Sequence, residues 1–176
     1  MAFMPGDDAG CDMFLKIDGA RSGLIKGESR DPAHSDEIQV LAWAWSMEGN
    51  ASATVASGGG GKGAAQVSVR ELVVTKRVDL ASTALMSALR GNDLIKNATL
   101  SVRKAGGSSP VDYVKIMLEG VRVRSMEIES GGPGTASQLL ERVSFAFKRI
   151  TVEYRPQLGQ GAGGGVSSFS TEIGQS

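Results

Sequence analysis

The sequence predicts an all-β domain, a two-sheet barrel or sandwich with one short flanking α-helix. About eight or nine segments alternate apolar and polar residues with the period of a strand, and turn residues separate them at the spacing of sandwiches and barrels. Helix signals occur in one place only, where Ser82 suits an N-cap and Gly91 a stop. The apolar face of that helix holds Leu85, Met86 and Leu89.

The longest alternating segment, residues 37–45, follows a polar turn and contains both tryptophans of the chain. Residues two apart share a face of a strand, so the indoles lie on one face and small side chains on the other. Burying a large apolar side chain contributes roughly 1.5–3 kcal/mol, so we expect the indole face to fill the core. The core set is Leu41, Trp43 and Trp45, and the opposite set includes Ala42 and Ala44.

The remaining strands show the same alternation. A tight turn at Gly120 is expected to separate two of them. In the last strand region the apolar phase changes between Phe147 and Ile150, which indicates a β-bulge or a corner. These predicted strands cover residues 12–18, 66–78, 98–104, 111–119, 121–130 and 138–155.

Glycine-rich stretches divide the chain. Residues 1–11 are expected to be flexible, residues 12–157 to form the domain, and the Gly/Ser-rich tail 158–176 to be disordered. A further glycine-rich stretch runs from Glu48 to Lys62. Because a long loop without periodicity is uncommon inside a compact domain, we expect this stretch to be a functional arm.

Composition bounds the function classes. With 176 residues and 41% hydrophobic content, the chain is long enough for one domain with a core. Lys+Arg and Asp+Glu both number 19, so no basic footprint for nucleic acid or an anionic membrane is present. No apolar run approaches the roughly 18–20 residues of a membrane span, and the N-terminus lacks the pattern of a secretory signal. The single Cys11 cannot form an intramolecular disulfide.

The sequence contains no complete nucleotide-binding or metal-binding motif. Residues 58–63 formally satisfy G-x-G-x-x-G, but the following segment is strand-like, whereas a phosphate site needs a helix there. The lone His34 has no second histidine or cysteine at ligand spacing, which argues against zinc. We therefore expect no catalytic residues, no metal and no cofactor.

The turn around His34 is the remaining enzymatic candidate. It carries four carboxylates, and paired carboxylates can perform acid–base chemistry. We favour a solvated acidic turn with a surface histidine, because acidic turns are usually solvated and no aromatic platform for a sugar accompanies this one. The four are Glu28, Asp31, Asp36 and Glu37.

Several segments, in this order, resemble the Hcp family, the haemolysin-coregulated tube proteins of bacterial type VI secretion systems. The resemblance covers nearly everything from Asp12 to Gln157. No single motif is diagnostic, but many in the right order make the match specific. The segments are DMFLKID, IKGESRDPAH, EIQVLAWAWSM, VSVRELVVTKRVD, STALMSAL, ATLSVRKAGG, VDYVKIMLEGVRVRSME and LLERVSFAFKRITVEYRPQ.

The resemblance implies a β-barrel of two sheets that assembles as a homohexameric ring. Rings would stack into a tube inside a contractile sheath on a baseplate, tipped by a VgrG spike, and carry secreted effectors in the lumen. It further implies no catalysis, and a protein of the bacterial cytoplasm that is secreted on firing without a cleaved signal. The insertion of residues 19–24 makes the first turn longer than in the family, and the tail after Pro156 has no counterpart that we can place.

Two groups of residues acquire roles from the resemblance. Ala42, Ala44 and Ser46 are expected to face the lumen, where short side chains let cargo enter and leave. The alternative is that the alanines pack under the helix. The arm is expected to contact a neighbouring ring through Gly58, Gly59, Gly60, Gly61 and Lys62. Ring closure is expected to use sheet edges, since closed oligomers hide unpaired strand backbone.

Two readings from other classes remain open on the sequence. A monomeric β-sandwich binding module, for example for carbohydrate, would need exposed aromatic residues on one face, and aromatics make up only 5% of the chain. An enzyme would depend on His34 and the acidic turn. Rings seen by electron microscopy would favour the tube subunit over both.

Overall fold

Antiparallel strands and one helix make up the described part of the computed structural model, which covers residues 11–50, 66–104, 111–130, 138–156 and 165–173. The predicted all-β class is thereby confirmed. The elements are β1 (Cys11–Gly19), β2 (Gly23–Ile25), β3 (Ile38–Gln39), β4 (Ala42–Ala44), β5 (Met47–Asn50), β6 (Gln66–Val69), β7 (Leu72–Arg77), α1 (Ser82–Gly91), β8 (Ile95–Lys104), β9 (Asp112–Ser130), β10 (Leu139–Ala146), β11 (Arg149–Tyr154) and β12 (Ser167–Glu172).

The strands form two packed sheets that share β9. Sheet A has the order β2-β1-β8-β9-β11-β12, with β3 also paired to β1. Sheet B has the order β9-β10-β7-β4. In the described residues this path of paired strands does not close on itself. The arrangement is a sandwich, and the barrel alternative of the prediction is not formed.

β9 corrects the turn expected at Gly120. One continuous strand of 19 residues runs through this position. Its first half pairs with β8 and β11, and its second half pairs with β10. Gly120 has a φ of 62°, and a Cβ built there would lie 2.9 Å from Cδ of Lys148. Glycine is therefore required where the chain passes from sheet A into sheet B, rather than at a hairpin.

The core lies between the sheets and is filled by the inward positions of both. The predicted phase change near residue 148 is confirmed as a corner. β10 of sheet B ends just before Phe147, and Ile150 is already buried in β11 of sheet A. Fully buried core residues include Leu15, Ile17, Leu72, Val74, Leu100, Ile116, Leu118 and Phe145.

Helix α1 forms where it was predicted, but it begins at Ser82 and ends at Gly91, which were expected to be its N-cap and its stop. The N-cap is Ala81, which makes no side-chain cap, and the left-handed C-cap is Asn92. Leu85 and Ala88 belong to the hydrophobic core, whereas Met86 is exposed. At this length the helix depends on docking, and it docks through this apolar stripe.

Ser82 belongs instead to a buried polar cluster. Its hydroxyl donates to Oε1 of Glu141 over 2.8 Å and accepts from the N–H of Asp79 over 2.9 Å. Nζ of Lys76 contacts the same Glu141 oxygen and donates to Oδ1 of Asp79 over 2.7 Å. We call Lys76, Asp79, Ser82 and Glu141 the helix cluster; it ties the start of α1 to β7 and β10.

The disorder predicted for residues 158–176 is contradicted over residues 167–172. Ser167–Glu172 forms β12, which pairs along its full length with β11. Thr151 and Ser170 share a hydrogen bond of 2.9 Å, and Arg149 pairs with Glu172. Composition predicted disorder because apolar side chains are few there, but backbone pairing to a sheet edge does not need them. Residues 1–10, 157–164 and 174–176 lie outside the described part.

Across the described ranges, no helix is both long enough and apolar enough to cross a membrane.

Candidate functional site

The tryptophan segment is split between the two sheets. Ile38 and Val40 are buried, and the N–H of Val40 donates to the carbonyl of Met13 in β1 over 2.9 Å. The next residue, Leu41, donates its N–H to the carbonyl of Thr75 in β7 over 2.8 Å. The chain therefore crosses from sheet A to sheet B between residues 40 and 41, and the inward parity switches there.

The prediction of a single alternation from Glu37 to Trp45 was wrong in its first half. Because the segment changes sheets, even-numbered residues face the core before the crossing and odd-numbered residues face it afterwards. After the crossing, Trp43 and Trp45 are half-buried and pack against the core, and Leu41 is half-buried. Nε1 of Trp45 is buried with no hydrogen-bond partner in the described part of the chain.

Ala42 and Ala44 lie on the face of sheet B that points away from the core. Trp43 between them points inward, and Ala44 is exposed, as is Ser46 beyond the end of β4. Because Ala44 is exposed, it does not pack under the helix.

Strand register places further small side chains beside these alanines. Ala44 is opposite Val73, Val73 opposite Ser144, and Ser144 opposite Ser125, which makes one row across four strands. The two serine hydroxyls share a hydrogen bond of 2.7 Å. Ala42 is opposite Thr75 in the adjacent row, which continues to Arg142 of β10 and Glu127 of β9. We call this surface the small-residue face; it consists of Ala42, Ala44, Val73, Thr75, Ser125 and Ser144.

The arm begins on a hairpin of its own. β5 and β6 pair only with each other among the described strands, with Met47 opposite Val69 and Asn50 opposite Gln66. Met47 and Val67 are exposed on this hairpin. The predicted contact residues Gly58, Gly59, Gly60, Gly61 and Lys62 lie outside the described residues.

The acidic turn is fastened onto the outer face of sheet A. His34, expected on the surface, is buried, and its ring stacks on Phe14 of β1 with 4.3 Å between centroids and 9° between planes. Nδ1 lies 2.8 Å from Oε2 of Glu37, and Nε2 lies 3.1 Å from Oδ1 of Asp112. The sequence does not indicate this, because Asp112 is 78 residues away.

Arg103 holds the same turn. Its guanidinium donates two hydrogen bonds to Asp31, of 3.1 and 2.5 Å, and a third to Asp12 over 3.2 Å. The hydrogen bond from Arg103 lowers the pKa of the Asp31 carboxyl to about 2 and raises the pKa of the guanidinium above its ordinary range. We call Asp12, Asp31, His34, Glu37, Arg103 and Asp112 the loop cluster.

The loop cluster is built for structure. A general base needs an open approach to substrate, and both ring nitrogens of His34 are occupied by carboxylates. No group of three or more His, Cys, Asp or Glu side chains suited to a metal ion occurs among the residues that the structure describes. The arrangement attaches a polar loop to a sheet.

Comparison with known proteins agrees with this fold. Residues 14–154 match the family described as "Type VI secretion system effector, Hcp". "Protein hcp1" of Pseudomonas aeruginosa is 41% identical over 165 residues, which are 93% of this chain and 96% of that protein.

Solved structures give the same result. A type VI secretion system effector from Yersinia pestis superposes with a TM-score of 0.70 at 31% identity, covering 92% of this chain and 100% of the other. Hcp1 from Salmonella typhimurium has a TM-score of 0.71 at 29% identity, with 93% and 95% covered. The fold and the sequence match together define a type VI secretion system protein. The chain belongs to the Hcp family.

Proposed function

We propose that this chain is the structural subunit of a type VI secretion tube. Six copies close into a ring, rings stack, and the tube is expelled from the bacterial cytoplasm through the contractile sheath behind a VgrG spike. Effectors travel in the lumen. Membership of the Hcp family supports the assembly, and a subunit of this kind performs no catalysis.

The small-residue face is the observation that carries the lumen assignment. It runs across four strands of sheet B, and its central row has no side chain larger than valine. Large side chains anchor binding partners at interfaces, so a row without them holds cargo weakly enough to release it. β4 and β12 each have one edge without a strand partner among the described residues, and these edges are available for ring closure.

Ring formation is tested by negative-stain electron microscopy of the purified protein. Rings of six copies are expected, and native mass spectrometry checks the copy number. Particles the size of one chain in both measurements would contradict the proposed function.

The lumen assignment is tested separately with Ala44→Gln. A long amide on the central row should leave rings intact and lower the amount of co-purified effector by roughly fivefold or more, because it crowds the surface that cargo approaches. Ala20→Gln is the matched control, since Ala20 is exposed in the turn after β1, on sheet A. Equal effector recovery from both variants would refute the assignment.

A second candidate function, a monomeric β-sandwich binding module, has one observation in its favour. Tyr154 and Phe169 are exposed on the same face of β11 and β12, Phe169 lying opposite Val152. Exposed aromatics of this kind stack on sugars. A monomeric protein that binds an oligosaccharide column through Phe169 would favour this candidate.

A further inference from the structure

A cleft of about 500 Å³ opens on the outer face of sheet A beside His34. Three adjacent strands build it, because β1, β8 and β9 pair in register and present their outward residues to the same side. Lys16 lies opposite Thr99, and Ser101 opposite Lys115. The residues that decide its chemistry are Lys16, Ser101, Arg103, Asp112, Lys115 and Arg155.

The carboxylates of this cleft are already engaged. Glu37 and Asp112 contact the two ring nitrogens of His34, and Asp112 also lies 3.6 Å from Nζ of Lys115. Asp31 and Asp12 take hydrogen bonds from the terminal guanidinium nitrogens of Arg103. These carboxylates therefore already contact His34, Lys115 or Arg103 and are not free to bind a cation.

The cations are only partly satisfied. Lys16 and Arg155 are exposed at the rim, and neither has an ion-pair partner in the described part of the chain. Arg103 is buried, and its Nε has no acceptor among the described residues. A buried donor without an acceptor is unfavourable, so the Arg103 guanidinium keeps unused hydrogen-bonding capacity beside the cleft.

We propose that this cleft binds one oxyanion, a carboxylate or a phosphate group. Lysine and arginine donors converge on it, and charge-assisted hydrogen bonds to such oxygens are stronger than neutral ones. The volume is large enough for an anion with its hydration water or for an acidic side chain with its neighbours, and the polar walls disfavour an apolar ligand. The oxyanion comes either from solution or from an acidic side chain on a protein surface. The site is separate from the small-residue face and does not depend on the proposed function.

Isothermal titration of the full chain at low ionic strength tests the site with two probes, inorganic phosphate and a tetraglutamate peptide. Saturable binding of one equivalent per chain is expected for at least one probe. Lys16→Ala and Arg155→Ala should each weaken it about fivefold, and the double variant at least tenfold. Arg77→Ala is the control, since Arg77 is an exposed cation of sheet B that does not line the cleft.

The two probes distinguish the sources of the oxyanion. Phosphate binding without peptide binding identifies a dissolved anion, and tighter binding of the peptide identifies a protein surface. Both outcomes support the proposal when the two cleft variants lose affinity and the control does not. Absence of saturable binding of either probe overturns it, as does an equal loss in Arg77→Ala. The substituted side chains are exposed, so unchanged melting temperatures confirm that the variants are folded.

Discussion

The helix cluster and the loop cluster each attach one segment of the chain to a sheet through charged side chains, but they differ in their exposure to water. In the helix cluster, the side chains of Lys76 and Glu141 are both 0% exposed. In the loop cluster, the side chain of Arg103 is 5% exposed and that of Asp31 is 20% exposed. A buried charge depends entirely on its partner, whereas a partly exposed charge can be compensated by water. The helix cluster should therefore be the more fragile of the two.

The clusters also fix different parts of the molecule. The helix cluster holds α1 against the strands that carry the small-residue face. The loop cluster holds the acidic turn on the outer face of sheet A, through contacts that reach from β1 to β9. Two substitutions, one in each cluster, test this comparison, and a third at the exposed pair of Arg149 and Glu172 extends it to charges in full contact with water.

The largest effect is expected from Lys76→Met. This change leaves Glu141 as an uncompensated buried charge, so the free energy of unfolding should fall by about 3–5 kcal/mol, measured by urea denaturation at pH 7. Lys148→Met, at an exposed position, is the control. The double variant Lys76→Met/Glu141→Leu should regain much of the loss. A change under 1 kcal/mol for Lys76→Met would show that burial does not separate the two clusters.

An intermediate, pH-dependent effect is expected from Asp31→Asn. The pKa of Asp31 is lowered from 3.8 to about 2, so its ion pair stabilises the protein fully above about pH 5. That contribution is lost as the pH falls through about 2. Because Asp31 is partly exposed, we expect the variant to be about 1 kcal/mol less stable at pH 6.

The measurement for Asp31→Asn is urea denaturation at pH 6 and at pH 2. The stability difference from the unmodified protein should shrink markedly at the lower pH. Glu127→Gln, at an exposed position of β9, controls for the general effect of acid. If the stability difference between Asp31→Asn and the unmodified protein does not change with pH, the ion pair is not its cause.

The smallest effect is expected from Arg149→Ala. Arg149 hydrogen-bonds Glu172 of β12, which raises the pKa of the guanidinium and lowers the pKa of the carboxyl, but both groups lie in solvent. Exposed pairs contribute little, so the melting temperature should change by no more than about 1 °C. If Arg149→Ala lowers the melting temperature more than Asp31→Asn does, then β12 stabilises the sheet and does not merely extend it.

Alternation predicted most of the strands, and helix signals predicted α1, because both depend on near neighbours in sequence. The same approach missed the crossing after Val40, since only pairing with β1 and β7 shows that two sheets share this segment. It also missed the burial of His34 and Lys76, because their partners Asp112 and Glu141 are distant in sequence. The tail strand was missed because its pairing uses backbone groups, which composition does not report.

The shared strand β9 has a consequence for how the subunit folds and unfolds. β9 pairs with β8, β10 and β11, so both sheets depend on its placement. The pairings of β1 with β8 and of β7 with β10 join distant parts of the chain, and folding that waits for them is slow. Once β9 is in place, neither sheet can open without disturbing the other. We expect the described sandwich to be lost in one cooperative step, with amide hydrogen exchange slowest along β9.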